Sequence, residues 1–272
     1  MKTSLMSADT ASLLRIASRL RASGCVFAED EARLLLSAAD SPEKVEALVA
    51  RRVGGEPIEL VIGWLEFCGL RIEVDPGVFV PRHRTELLVT KAITVVQAGS
   101  VVVDLCCGSG AIGAAIANAV PGIELHAVDI DAAAVRCARR NLSGLDAHTY
   151  TGDLFTPLPG SLRRRVDVVV ANVPYVPTGA IDTLPREARL YEPRHTLDGA
   201  VDGLDLVRRV AAAANEWLAP GGHLLVEVSD HQVARAASIV ETHGLRPRIS
   251  RDSELEATAL IATQPQIGRA HV

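Results

Sequence analysis

The sequence predicts an α/β protein: a mostly parallel sheet of seven strands, covered by helices on both faces, with a small helical domain in front of it. Three observations carry that prediction. From Thr85 onward, strand-like apolar runs alternate with segments of helical periodicity. The runs at 101–103 and 166–171 are almost continuously apolar, as strands buried on both faces must be. A glycine-rich turn, Gly108-Ser-Gly110-Ala-Ile-Gly113, follows the first of these runs.

Taken in order, residues 1–53 read as a helical domain. Leu13, Leu14, Ile16, Ala17 and Leu20 recur at helical spacing, as do Leu34, Leu35 and Leu36 with Ala32 and Ala39. Ser41-Pro42-Glu43 is a helix start, with a capping serine followed by proline at the first helical position. Residues 54–84 read as a β-hairpin linker. Gly54-Gly55-Glu56-Pro57 breaks the helical pattern, and Leu70-Arg-Ile-Glu-Val74 alternates apolar with polar before the turn Asp75-Pro76-Gly77. The main domain, 85–266, is expected to run helix 85–97, strand 100–104, helix 110–119, strand 123–128, helix 131–142, then strands 146–151 and 166–171. Helix 203–218, strand 222–228, helix 230–243 and strands near 245–251 and 257–263 complete it. The last six residues, 267–272, fit no element and are expected to be a disordered tail.

Composition excludes several classes. At 272 residues and 48% hydrophobic content the chain can bury a sizeable core. It has no run of about 18 apolar residues and no basic-then-apolar start, so neither a membrane span nor a secretory signal is expected, and the cytoplasm is the expected compartment. Five cysteines (Cys25, Cys68, Cys106, Cys107, Cys137), with no Cys-x-x-Cys or Cys/His spacing, point to small buried hydrophobes and to no metal site. The net charge of -5 gives no global field for a phosphate backbone, so a nucleic-acid partner is disfavoured. The cluster Arg163-Arg-Arg165 reads as a solvated loop.

The glycine turn admits two ligands. With Asp129 about 20 residues downstream, it satisfies the dinucleotide pattern of a dehydrogenase. In either case glycines let backbone approach the ligand, and an acid ending the second strand (Ala127-Val-Asp129) accepts from ribose hydroxyls. Three features favour S-adenosylmethionine. Asp104 ends the first strand, where a carboxylate suits a cationic sulfonium better than a pyrophosphate. Asp153, in Gly152-Asp-Leu154, is placed to accept from the adenine amino group while Leu154 packs on the ring. Asn172-Val-Pro-Tyr175 closes the fourth strand at the carboxyl edge, where ligands of open α/β sheets bind. The candidate cofactor contacts are Asp104, Cys106, Cys107, Gly108, Ser109, Gly110, Asp129, Ile130, Asp153, Leu154 and Asn172.

Together these stretches resemble the protein-(glutamine-N5) methyltransferases that modify peptide-chain release factors. The likeness runs from about Arg51 to Thr263 and includes Gly55-Glu-Pro57, Pro76-Gly-Val-Phe-Val-Pro-Arg82, Thr85-Glu86, the glycine turn, Gly152-Asp-Leu-Phe155, Asn172-x-Pro-Tyr175, Glu192-Pro193, Leu197-Asp-Gly199 and Pro220-Gly-Gly222. It implies a class I S-adenosylmethionine-dependent methyltransferase fold, Rossmann-like, and methyl transfer to the amide nitrogen of a glutamine in a protein, for which a release factor is a candidate. In that reading the Asn172 side-chain oxygen and the Val173 carbonyl accept the two amide hydrogens. Pro174 fixes the turn, Tyr175 packs on substrate or methyl donor, and Phe79, Arg82, Asn172 and Tyr175 line the substrate groove.

The chain departs from the family pattern at four places. Val173 stands where proline is usual, which loosens the loop without removing the carbonyl. Cys106 replaces the first glycine of the turn, His83 and Arg84 replace a usual Pro-Glu, and Arg251-Asp-Ser-Glu-Leu-Glu-Ala-Thr258 lacks the expected glycine-arginine ending. His83 reads as a solvated entrance residue. These differences suggest a divergent branch. An adenine-amino methyltransferase acting on a flipped base, and a degenerate cofactor-binding module, are the alternatives that the motifs leave open.

Overall fold

A computed structural model describes residues 2–266; the tail expected over 267–272 lies outside the described residues. Its front part consists of α1 (Lys2–Ala22), α2 (Ala28–Ser37) and α3 (Pro42–Val53), followed by a short α4 (Ile58–Ile62) that the sequence reading lacks. The stripe anticipated from helical spacing is the core here: Ile16, Ala17, Leu20, Ala32, Leu35, Val45 and Val49 are all buried, and Val61 of α4 joins them. Ser41 caps α3 by accepting from the Lys44 N–H, with Pro42 behind it at the first position.

α4 ends at Gly63 in the left-handed conformation. A hairpin follows, β1 (Trp64–Phe67) and β2 (Leu70–Glu73), whose two turn residues Cys68 and Gly69 both have positive φ, as a tight hairpin turn requires. It is tied to the main domain by the Asn141 side chain, which donates to the Glu73 carbonyl and accepts from the Glu73 N–H, each at 2.9 Å.

The main domain contains α5 (Glu86–Ala92), β3 (Val101–Leu105), α6 (Ala111–Ala119), β4 (Glu124–Asp129), α7 (Ala132–Asn141), β5 (Ala147–Thr151), β6 (Val166–Ala171), α8 (Arg186–Tyr191), α9 (Asp205–Trp217), β7 (Leu218–Glu227), α10 (Val233–Thr242), β8 (Arg246–Asp252) and β9 (Ala257–Thr263). The strand order is β5-β4-β3-β6-β7-β9-β8, parallel from β5 to β7 and antiparallel at β9 and β8. The order reverses direction beside β3, so the carboxyl ends of β3 and β6 open on the crevice where such sheets take ligands.

Alternate residues of β3 face two separate cores. Val101, Val103 and Leu105 pack with α9 and α10, and Val102 packs with α5 and α6. On the first face Phe155 stacks on Trp217, with centroids 5.5 Å apart. The helix expected over 85–97 is shorter, because α5 gives way to turns after Ala92. The strand expected from 222 starts earlier, since Leu218 pairs with Val166 across a register shift in β6. Between β6 and α9, residues 176–200 form 3₁₀ turns and α8, none of which the sequence periodicity marks.

That connection packs back onto the front helices. Arg52 of α3 donates to both carboxylate oxygens of Glu31 and to Glu187 of α8, and its side chain is only 11% exposed. A bidentate guanidinium so little exposed is a fixed joint, held in one orientation.

Candidate active site

At the carboxyl edge of the parallel strands lies a cavity of about 720 Å³, within the size range of small-molecule and cofactor sites. Its floor is the turn after β3, its sides are the ends of β4, β5 and β6, and its cover comes from residues 77–84 and 184–197. Of the residues singled out above, Phe79, Arg82, Cys106, Gly108, Asp129, Ile130, Asp153, Leu154, Asn172, Val173, Pro174 and Tyr175 line it. Cys107, Ser109 and Gly110 are buried behind the turn and are not among the lining residues.

Asp104 requires a correction. It was expected to face the ligand, yet it is fully buried, is not among the lining residues, and its Oδ2 accepts from the Gly113 N–H of α6 at 3.0 Å. The physical reason is that the first turn of a helix has N–H groups without intrahelical partners, and this acid satisfies one of them. Gly113 allows the close approach: an added Cβ would stand 3.0 Å from Leu125 Cδ2 and 3.1 Å from Asp104 Oδ2. Burial pushes the Asp104 carboxyl up to about 7, against the favourable Gly113 contact, with Asp129 adding repulsion.

Asp129 does face the cavity. Its Oδ2 accepts from Gly108 N–H and its Oδ1 from Asp131 N–H, each at 2.9 Å, and burial raises its pKa. A carboxylate accepts about four hydrogen bonds, so capacity remains for a ligand diol. Asp153 lies at the wall as expected, but its Oδ2 is paired with Arg209. Cys106 holds φ of 55°, a conformation in which its usual glycine would be unstrained.

At the end of β6 the tetrapeptide is fixed from several sides. Asn172 Nδ2 donates to Thr85 Oγ1 at 3.3 Å. Val173, expected to loosen the loop, instead buries its side chain in the core beneath, at 1% exposure. Gln232 donates from Nε2 to the carbonyls of Tyr175 (2.8 Å) and Asp202 (3.1 Å), while its Oε1 accepts from Ser229. The Tyr175 hydroxyl donates to Glu227 at 3.1 Å; burial, followed by the Glu227 charge, pushes the phenol pKa up.

Arg84 lies over the Tyr175 ring at 5.7 Å and 3.3 Å from Glu227, while Arg82 lies over Phe79 at 5.3 Å and pairs with buried Glu192. His83 is exposed, as read from the sequence, and is not a lining residue. Sequence reasoning assigned no role to Thr85, Glu227, Gln232 or Arg209. Gln232 lies 57 residues from its partner Tyr175, and no local spacing could have signalled it.

Residues 69–188 match the methyltransferase small domain family. A release factor glutamine methyltransferase from Geobacter sulfurreducens is 41% identical over 193 residues, covering 69% of this chain and 67% of the relative. The chain belongs to the release factor glutamine methyltransferase family. It is therefore an S-adenosylmethionine-dependent methyltransferase. A second relative, a 4-amino-L-phenylalanine/4-methylamino-L-phenylalanine methyltransferase from Streptomyces pristinaespiralis, is 35% identical, covering 75% of this chain and 71% of that one.

Among solved structures, a 16S rRNA N2 G1207 methyltransferase from T. thermophilus, in complex with AdoMet and guanosine, shares the fold with a TM-score of 0.55 at 21% identity. That likeness covers 74% of this chain and 49% of the other. The lining suits this family's cofactor. The acids Asp129 and Asp131 favour a cation, and a Cβ built on Gly108 would enter space bounded by nothing nearer than the Phe79 carbonyl at 4.0 Å.

Two outcomes follow. Folded Asp104 holds its proton to about pH 7 whereas an unfolded aspartate loses it near 4, so its stabilising effect is complete at low pH and declines as pH rises through that window. Relative to Asp104→Asn, the native chain should therefore lose on the order of 2–4 kcal/mol between pH 4 and 7 in denaturant titrations. Gly203 has φ of 74°, and an added Cβ would collide with the Tyr175 carbonyl and Gln232 Nε2. Gly203→Ala should cost about 3 kcal/mol or more in the same measurement.

Proposed function

We propose that this protein transfers the methyl group of S-adenosylmethionine to the side-chain amide nitrogen of a glutamine in a protein substrate, with a peptide-chain release factor as the first candidate. The observation that carries the reading is the Asn172-Val-Pro-Tyr175 loop, braced at the edge of a cavity whose other wall holds Asp129 and the glycine turn. S-adenosylmethionine, when bound, supplies an electrophilic methyl group on a sulfonium.

The chain's own task is orientation, because an amide nitrogen is a poor nucleophile whose lone pair is delocalised. Asn172 Oδ1 and the Val173 carbonyl accept its two hydrogens and leave the nitrogen's free face toward the methyl. Proximity and alignment of this kind can lower a barrier by about 7–11 kcal/mol. Tyr175, held by Glu227 and Arg84, forms the apolar side of the acceptor slot. Gly108, Asp129, Ile130, Asp153 and Leu154 hold the cofactor, with Cys106 beside its methionine part. Phe79, Arg82 and the α8 segment form the groove for the polypeptide on either side of the glutamine.

The charges of the cavity favour a protein over a nucleic acid. Its lining carries six acids (Glu59, Asp129, Asp131, Asp153, Glu187, Glu192) against three arginines (Arg82, Arg84, Arg209), a balance that repels phosphates. This agrees with the net charge of -5. No helix among the described residues is long and apolar enough to cross a membrane, and release factors act in the cytoplasm, where we place the protein. The helical unit 1–53, the hairpin linker 54–84 and the catalytic unit 85–266 are the division we adopt.

A free aromatic amine is the second reading, favoured by the relative from Streptomyces pristinaespiralis. One experiment separates them: the purified protein and isotopically labelled S-adenosylmethionine are incubated in parallel with a release factor, 4-amino-L-phenylalanine and an adenine-containing oligonucleotide, and products are mapped by mass spectrometry. Label on a release-factor glutamine is expected; label on the free amine alone would overturn the proposal. Asn172→Ala should lower turnover at least about a hundredfold while cofactor affinity, measured by calorimetry, stays within about twofold. Near-native turnover in that variant would remove Asn172 from the mechanism.

A further inference from the structure

We infer that a second cavity, sharing Tyr175 and Arg84 with the acceptor site, binds a cationic side chain of the polypeptide substrate. A glutamine with a lysine or arginine within about two residues of it is therefore preferred. The inference rests on the methyl-transfer reading above. This cavity measures about 440 Å³ and lies between residues 227–230, at the end of β7, and residues 251–258, where β8 turns into β9. Tyr175 and Arg84 line both it and the larger cavity, so a chain that presents its glutamine to Asn172 has a neighbouring side chain beside the second opening. Two of the departures from the family pattern, Arg84 and the 251–258 segment, meet in its wall.

The lining carries four acids, Glu227, Asp230, Asp252 and Glu256, against two arginines. Each arginine already faces an acid of the same cavity: Arg84 stands 3.3 Å from Glu227, and Arg251 donates to Asp230 at 2.9 Å. Asp252 and Glu256 have no basic partner among the described residues. Asp252 Oδ1 accepts from the N–H groups of Glu254 and Leu255, which fixes the carboxylate and leaves Oδ2 without a partner. Glu227 is the most buried of the four, with a side chain 6% exposed. Its Oε1 is shared by the Tyr175 hydroxyl and Arg84, and its Oε2 has no hydrogen-bond partner. A buried carboxylate oxygen left unpaired is costly until a donor supplies the missing bond. The cavity thus has acceptors and negative charge to spare. An ammonium or guanidinium, which carries only donors and a positive charge, is its complement. A metal ion is a poorer fit, because no three His, Cys, Asp or Glu side chains among the described residues are grouped to hold one.

The test uses peptides of one glutamine-centred sequence that carry lysine, norleucine or glutamate at either of the two positions before or after the glutamine. At one of these positions lysine should raise kcat/KM about tenfold over norleucine, the effect of roughly one charged hydrogen bond, and glutamate should lower it. In Glu227→Gln, and separately in Asp252→Asn combined with Glu256→Gln, the lysine-to-norleucine ratio should fall to within about twofold of one. Glu227→Gln keeps an acceptor for the Tyr175 hydroxyl, and damage to the acceptor slot would lower both peptides alike, so the ratio reads the second cavity alone. A second arm needs no turnover. n-Butylammonium titrated into ¹⁵N-labelled native protein should move the backbone amide signals of residues 227–230 and 251–258, n-butanol should not, and the shifts should vanish in the same variants. Equal kcat/KM for lysine and norleucine at all positions, a ratio unchanged in the variants, or equal shifts from the alcohol would overturn the inference. Failure to methylate any peptide would instead overturn the reaction assigned above, and the titration would still decide whether the cavity takes a cation.

Discussion

The arrangement depends on how the backbone leaving β6 is satisfied. A central strand that simply stops would expose buried carbonyls with no ladder to receive donors, and such groups are costly when unpaired. Here Tyr175 and Val176 have specific partners. Tyr175 O accepts from Gln232, Val176 O accepts from Gly199 N–H, and the Val176 N–H donates to Leu197 O. Gly199 is close enough that an added Cβ would stand 2.7 Å from the Pro174 carbonyl. The tetrapeptide therefore holds its shape before any ligand arrives. That is the condition under which orientation alone can accelerate a reaction.

The same economy explains the acids near the glycine turn. Asp104 and Asp129 look alike in the sequence, each ending a strand before a turn, and only their surroundings assign them different work. Asp104 lies under α6 and satisfies one N–H of that helix, whereas Asp129 straddles two backbone N–H groups at the cavity wall. A carboxylate buried behind the turn keeps its proton more readily, so the negative charge stored there at neutral pH is reduced. The charge that a sulfonium would meet comes mainly from residues that line the cavity itself.

Much of the fold was legible because burial on two faces imposes continuous apolar runs. Residues 101–103 and 166–171 could be little else, and the helical stripe of Ile16, Leu20 and Leu35 matched the front core. The glycine turn and Asn172-Val-Pro-Tyr175, which both reach the cavity wall, were legible for a different reason: each is a short stretch of particular residue types at fixed spacing. What escaped was long-range. Residues 176–200 are held by hydrogen bonds to other loops and by Arg52, and such contacts leave no period in the sequence. Thr85 and Gln232 are ordinary polar residues until the sheet brings them to either side of the tetrapeptide.

The two departures from the family pattern nearest the site have different physical consequences. Val173 replaces a ring that restricts φ with a β-branched side chain buried in the core, and packing supplies the constraint that the ring would have given. Cys106 has no comparable compensation in its backbone: at φ of 55° it holds a conformation that costs about 1–2 kcal/mol for a residue with a Cβ. Its thiol is driven toward the neutral form by burial, with Asp129 and Asp104 acting in the same direction. It therefore presents a small apolar wall to the cavity and not a nucleophile. Both departures leave in place the hydrogen bonds with Gln232, Gly199 and Leu197 that hold the backbone after β6.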